Sequence, residues 1–378
     1  MQVKTPIKMK KREQYYRIIL LFLAAILLQN AGVLAQQYEK SKTLTRAFYA
    51  SNETSVQIMN KYGNIHLLPW DKDSVRVEVN IKVEANKQSK VEKTFDNIEI
   101  EFSESPYYLI VQTVLGNQKN SFWADVTDFT NSMLKGGSIA QIDYSIYIPE
   151  NVELTVENKF GNIYMTDHKG KTMINLSNGD FRGGRINTLE LDHGFGTVVI
   201  DSVNTATLTL SYTELKLNYG KDLRVTSKSS KPNIKHFASI RINSRRDTYF
   251  FEKAGTVNGE TSFSYLTIQT LEGDLILNTN YGNLNVDGFG RAFSMMNLAA
   301  RYTDISMICD QGFDYFLEVY HDDKTRMMYP KSPPIFMLEE SGSEDNKFLL
   351  SGHAGSNAEE IPRMKINIEG GSVNIIHQ

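Results

Sequence analysis

One turn signature recurs along this chain. Asn60-Lys61-Tyr62-Gly63-Asn64-Ile65 is echoed by Asn158-Lys159-Phe160-Gly161-Asn162-Ile163, and again by Asn280-Tyr281-Gly282-Asn283-Leu284. Looser copies fall at 177–181, 194–198, 211–215, 264–266, 301–305 and 369–373. The apolar residue that opens the strand after each turn gives a ruler. Ile163, Phe181, Val198 and Leu215 are separated by 18, 17 and 17 residues, and Leu266, Leu284 and Ile305 by 18 and 21. A second short alternating run lies between openings, as in Met173-Ile174-Asn175-Leu176, Leu189-Glu190-Leu191 and Leu223-Arg224-Val225. Two short strands per period of 17–21 residues are the pattern of a β-solenoid, in which no unit buries enough apolar surface to stand alone. At each corner Gly with Asn or Asp accommodates the sharp turn. The aliphatic residues after it point inward, and Tyr164, Val199, Lys216 and Asn285 point outward.

The rest of the chain is divided by changes in this grammar. Residues 1–35 have the order of a secretory signal: Lys4, Lys8, Lys10, Lys11, Arg12 and Arg17, then an apolar run from Ile18 to Leu28, then Val33-Leu34-Ala35 before Gln36. Cleavage is expected after Ala35; the alternative is an uncleaved anchor, against which the run of eleven apolar residues falls short of the ~20 that span a bilayer. Residues 36–55, with Lys40, Lys42 and Arg46, read as a polar, solvated lead-in. Residues 56–149 form a strand-rich region. Its clearest strand is Ser74 to Val83, where Val75, Val77, Val79, Ile81 and Val83 alternate with polar residues. A short helix over 87–95 capped by Asn86, a hairpin across Pro106, and a long loop at 114–140 are expected within it. Solenoid turns occupy 150–320, a polar loop excursion with one edge strand at Phe348-Leu349-Leu350 occupies 321–362, and terminal strands occupy 363–378. The fold class expected is therefore all-β, a parallel β-helix-like solenoid behind a small strand-rich N-terminal sheet region carrying one short helix.

Charge and cysteine usage narrow the function. The chain has 41 basic and 44 acidic residues; loss of 1–35 removes six and one of these, leaving 35 against 43, a net charge of −8. Such a surface disfavours a nucleic-acid partner. Cys309 is the sole cysteine, so no intramolecular disulfide forms, and its setting in Met307-Ile308-Cys309 is that of a small buried hydrophobe rather than a nucleophile.

Catalytic and metal-binding signatures are not apparent. No two of the seven histidines have the spacing of a helical zinc site, and there is no Cys-x-x-Cys, nucleophile elbow, phosphate loop or dinucleotide fingerprint. No cofactor is implied. Asp167-His168 and Asp192-His193 sit near turns and read as solvated corners, with an acid/base or metal role as the alternative. Parallel β-helices also host polysaccharide-cleaving enzymes. Asp180, Arg182, Asp192, Glu214, Arg224 and Asp274 are the residues such an enzyme could use here, although outward charge on a solenoid also serves solubility. An outer-membrane barrel would need strands of ~9–11 residues, longer than these.

The aromatic residues are the more informative set. Tyr62, Phe160, Phe195, Tyr212, Tyr219, Tyr265, Tyr281 and Tyr302 recur at corners. The stripe Phe160, Phe195, Tyr212, Tyr265, Tyr281 and Tyr302 either staples the corner or offers amphipathic rings to a sugar or a protein.

The echoed turns, the junction Asp143-Tyr144-Ser145-Ile146-Tyr147-Ile148-Pro149-Glu150 leading into Asn158-Lys159-Phe160-Gly161-Asn162-Ile163, and the Gly-rich last strand resemble the putative-adhesin family of exported bacterial strand-repeat proteins. The resemblance covers roughly 50–378 and is densest over 143–310. It implies a right-handed parallel β-helix-like solenoid at or outside the inner membrane, in the periplasm or at the cell surface, and it brings no catalytic motif with it. The expected function is thus a non-catalytic envelope or surface protein, an adhesin or binding scaffold that presents an extended face to a protein or glycan. The alternative is a carbohydrate-active lyase or hydrolase.

Overall fold

The computed structural model describes residues 37–116, 137–330, 339–342, 347–355 and 361–378. The expected leader at 1–35, most of the 114–140 loop and parts of the 321–362 excursion lie outside the described residues. Among the described residues the protein is all-β with one short helix, and its strands join in one large mixed sheet.

The N-terminal part runs β1 (Tyr38–Tyr49), β2 (Ser55–Tyr62), β3 (Ile65–Trp70), β4 (Ser74–Ala85), α1 (Gln88–Asp96), β5 (Ile98–Ser105), β6 (Tyr108–Leu115) and β7 (Ser138–Pro149). Strand β4 buries its entire aliphatic row, as the alternation requires. It lies between β1 and β7, antiparallel to both. The polar lead-in expected at 36–55 is therefore largely a strand. Its charges are those of an edge: among the described residues β1 pairs only with β4, and lysines on such an edge discourage pairing with another chain. The helix starts at Gln88 rather than 87. Lys87 holds the capping position without a side-chain bond, so Asn86 does not cap it. Buried Val91 and an ion pair from Glu92 to Lys40 of β1 fasten it instead.

The middle of the molecule consists of β8 (Glu153–Phe160), β9 (Ile163–Met165), β10 (His168–Ser177), β11 (Phe181–Lys228), β12 (Lys231–Arg245), β13 (Thr248–Ser262), β14 (Tyr265–Leu271), β15 (Leu275–Val286) and β16 (Met295–Cys309). All of their mutual pairings are parallel. The register reproduces the ruler. Glu214 faces Lys231 and Thr248 faces Tyr265, each 17 residues on; Leu284 lies 18 beyond Leu266, and Ile305 lies 21 beyond Leu284. The seven strand-opening residues Ile163, Phe181, Val198, Leu215, Leu266, Leu284 and Ile305 are all buried. They belong to one continuous apolar core running from Phe48 to Ile375.

Both ends depart from this parallel pattern. β2 and β3 pair with β8 and β9 at a distance of 98 residues, and on their other side with β6 and β7. The intervening segment is an excursion that returns to β2 and β3 in parallel through β6 and β7, and its own strands, β5 with β6 and β4 with β7, pair antiparallel. The C-terminal end repeats the device with β17 (Tyr315–Asp322), β18 (Thr325–Met328), β19 (Glu339–Gly342), β20 (Lys347–Ala354) and β21 (Arg363–His377). β21 stacks on β16 in parallel, β17 stacks on β21, and β20 and β19 fold back antiparallel on top. The 321–362 segment is thus not only polar loop: the edge strand expected at 348–350 spans Lys347–Ala354 and is paired along its whole length, antiparallel to β17.

Candidate functional site

From Asn178 to Tyr302 the successive parallel segments turn at one corner, and the backbone there has an unusual conformation. Asn178, Phe195, Tyr212, Ser229, Arg246, Phe263, Tyr281 and Tyr302 all have φ between 48° and 61°. This is the left-handed region, comfortable for Gly or Asn and costly for bulky residues. Five of the eight are nevertheless aromatic. Their rings stack face to face across neighbouring segments: Phe195 on Tyr212 at 4.9 Å, Phe263 on Tyr281 at 5.1 Å, and Tyr281 on Tyr302 at 5.1 Å, with interplanar angles of 5°, 6° and 13°. The rings remain 49–57% exposed. Stacking accounts for part of the backbone cost, at ~0.5–1.5 kcal/mol per aromatic pair.

The residue after the corner must be small, because the neighbouring segment passes directly over it. Gly161, Gly179 and Gly196 fill this place first: a Cβ on Gly161 would lie 2.0 Å from the Gly63 carbonyl oxygen. Further on, Thr213, Ser230, Asp247 and Ser264 replace glycine and form a buried staircase. The Thr213 amide donates to Ser230 Oγ, the Ser230 amide to Asp247 Oδ1, and the Asp247 amide to Ser264 Oγ. Asp247 also accepts from the hydroxyls of Ser227 and Ser244, each at 2.7 Å. The corner is therefore a rigid mount for the rings above it.

Beside the rings lies a polar groove. The outward positions before the corner align in columns set by the register. One contains Arg224, Arg241, Asn258, Ile276, Asn297 and Lys365; the next contains Thr226, Asn243, Glu260, Asn278, Ala299 and Asn367; the column next to the corner contains Lys228, Arg245, Ser262, Asn280, Arg301 and Glu369. Two hollows follow them. The first, about 490 Å³, is lined by Arg224, Arg241, Asn243 and Asn258; the second, about 540 Å³, by Asn280, Arg301, Tyr320, Lys347 and Asn367. Glu260 and Asn278 line both, so the hollows adjoin. Ser262, Asn280 and Arg301 immediately precede Phe263, Tyr281 and Tyr302, which puts the second aromatic stack along the groove's border.

The residues singled out from sequence fall in different places. Phe195, Tyr212, Tyr281 and Tyr302 belong to the corner stack. Phe160 stacks on Tyr62 at 5.4 Å, just before the corner glycine. Tyr265 is not at the corner. Phe263 holds that position, and Tyr265 is exposed on the following strand opposite Thr248 and Asn283. Tyr219 pairs opposite His236, away from the corner.

His168 and His193 are buried rather than solvated. His168 Nε2 meets the Val152 carbonyl at 2.9 Å, while His193 spans Thr213 Oγ1 at 2.7 Å and the Gly179 carbonyl at 2.9 Å. Burial holds both imidazoles below their ordinary pKa. Cys309 is buried, and burial pushes its thiol up to about 12.

The charged residues considered for an enzyme are dispersed in structural contacts. Asp180 accepts from the Thr197 amide, Asp274 from Ser294 and the Met295 amide, and Glu214 pairs with Lys216 at 2.8 Å. Asp192 faces Asn175, and Arg182 borders a separate hollow with His66 and Tyr164. Only Arg224 of that set lies in the groove. Among the described residues no three metal-ligating side chains converge, and no helix is long and apolar enough to cross a membrane. Reading the sequence for inward residues missed Arg241, Asn243, Asn258, Glu260 and Asn278. The 17-residue ruler, applied outward from Arg224, reaches Arg241 and then Asn258.

No family model and no curated protein matches the chain. Among solved structures it is similar to a putative adhesin from Parabacteroides distasonis ATCC 8503, with 10% identity over 89% of this chain and 97% of that one and a TM-score of 0.27. It is also similar to a putative cell adhesion protein from Clostridium sporogenes ATCC 15579, with 8% identity over 90% and 100% and a TM-score of 0.17. A putative lipid binding protein from Parabacteroides distasonis ATCC 8503 is similar at 11% identity over 88% and 96%, with a TM-score of 0.26.

Proposed function

We propose that this protein is an exported, non-catalytic scaffold of the cell envelope whose groove and aromatic corner hold a glycan chain. In this reading 150–320 and 363–378 wind as a right-handed parallel β-solenoid, with 56–149 and 321–362 as its two covers. The single observation that carries the proposal is the set of bulky rings at φ of 48–61°. Glycine or asparagine would serve the turn at less cost, as Asn178 does in the same column. Placing exposed rings there fits a role in contact, because amphipathic faces stack on sugars while neighbouring amides bond hydroxyls.

The test is retention on envelope polysaccharide by the whole mature chain and by a variant with Tyr281→Asn and Tyr302→Asn. Asparagine tolerates the corner backbone, so the variant's unfolding free energy should change by less than ~1.5 kcal/mol. Its glycan affinity should fall at least tenfold, and the unmodified chain should release no cleaved product. Unchanged affinity in a folded variant would remove the aromatic corner from the proposal.

A further inference from the structure

The first hollow contains a charge arrangement that the protein itself does not neutralise. Arg224 and Arg241, which line it, are direct parallel neighbours, and so are Lys228 and Arg245 four residues further along the same strands, beside the hollow rather than in its lining. Neighbouring strands lie ~4.8 Å apart, and like charges directly opposite one another are destabilising. Among the described residues, none of these four side chains has an ion-pair or hydrogen-bond partner. Some surface cations elsewhere sit beside a carboxylate, as Lys40 does Glu92, Lys82 Glu84, Lys216 Glu214 and Arg301 Glu369; what sets these four apart is that they stand opposite one another in like-charged pairs. The cluster also falls where the ring stack is interrupted, at Ser229 and Arg246 between Tyr212 and Phe263. Four cations on two adjacent segments of a chain with net charge −3 form a local anion site rather than a general basic surface.

We infer that the Arg224–Arg241 hollow is an anion subsite of the glycan groove, selecting a polysaccharide that carries carboxylate or sulfate along its length. This rests on the glycan-binding reading above. A guanidinium presents a planar fork to a carboxylate or sulfate. The register places the two arginines on adjacent strands, whose backbones lie ~4.8 Å apart, so one acidic chain laid across the strands can meet both. Asn243, Asn258 and Asn278 supply donors and acceptors to ring hydroxyls, and Glu260, at the junction of the hollows, accepts from hydroxyls only. That mixture suits an acidic sugar polymer better than a nucleic acid, whose bases require stacking platforms within the binding channel. The first hollow is lined by no aromatic side chain.

The experiment measures Kd of the mature chain for polygalacturonate, dextran sulfate, neutral dextran and single-stranded DNA, alongside Arg224→Gln/Arg241→Gln and Arg224→Lys/Arg241→Lys variants. The expected result is tighter binding to one or both acidic polysaccharides than to dextran and DNA. The glutamine variant should lose at least tenfold on the acidic polymers with dextran unaffected, and the lysine variant should lose less. Preference for the carboxylate or the sulfate polymer identifies the anion. Removing the like-charge pair should leave the melting temperature equal or higher, which separates a binding loss from misfolding. Equal binding to dextran, unmoved by the glutamine changes, would overturn this inference and leave the glycan reading standing. Binding to no polysaccharide would end both, and a preference for DNA would overturn the choice of ligand.

Discussion

At the scale of single residues, the histidines show how burial reverses a reading based on residue type. By its place near a turn, Asp192-His193 reads as a solvated corner. In the fold, alternation sends Asp192 outward and His193 into the staircase under the corner. A neutral imidazole suits that place, since its two nitrogens meet Thr213 and Gly179. The consequence for stability has a definite sign. A histidine whose pKa is lowered on folding lets the unfolded chain bind more protons as the pH falls below ~6.5. The contribution of His168 and His193 is thus fully present above that value and is lost towards acid. Urea midpoints measured from about pH 8 to pH 5 should decline below ~6.5, and His193→Gln, which keeps hydrogen-bonding capacity, should flatten part of that decline. A midpoint that stays level or rises on acidification would contradict the buried neutral state.

At the scale of elements, close stacking at the corner imposes the strongest constraint. Gly161 has φ of 143° and the Gly63 carbonyl directly above it, whereas Gly116 has φ of 78° with open space around it. Gly161→Ala should therefore cost about 2–4 kcal/mol from backbone conformation and collision together. Gly116→Ala should cost about 1 kcal/mol from conformation alone. Equal losses in denaturant melts would show that the overhead carbonyl is not the constraint. Much of this geometry was legible in sequence because an inward aliphatic residue and a small corner residue recur at one interval. Less legible were the elements that pair outside the interval. β1 is exposed along most of both faces, so no apolar alternation marks it as a strand. Strands β2 and β3 find their partners 98 residues away, beyond an excursion that no local period reports. The looser copy at 264–266 points to Tyr265 as the corner ring, whereas the left-handed residue of that turn is Phe263. The groove escaped notice because its chemistry depends on columns: Arg224 is an ordinary surface charge until the register brings Arg241 beside it.

At the scale of the whole molecule, the two excursions solve the problem of open edges. A stack of parallel segments ends in unpaired backbone, which invites addition of another chain. Here the N-terminal end is covered by β4 to β7 with charged β1 outermost, and the C-terminal end by the antiparallel pair β17 and β20 with β19 beyond it. With both ends covered in this way and the N-terminal edge charged, the long side of the stack carries the groove and the exposed rings, the surface proposed above for an extended partner. The measurement that tests this most directly is hydrogen–deuterium exchange of the mature chain with and without saturating polygalacturonate. The account predicts slowed exchange concentrated in 224–229, 241–246, 258–263 and 276–281, the segments that bear the basic pair, the amides and the second ring stack. Protection confined to the covering strands at 38–115, or none in those four segments under saturation, would contradict it.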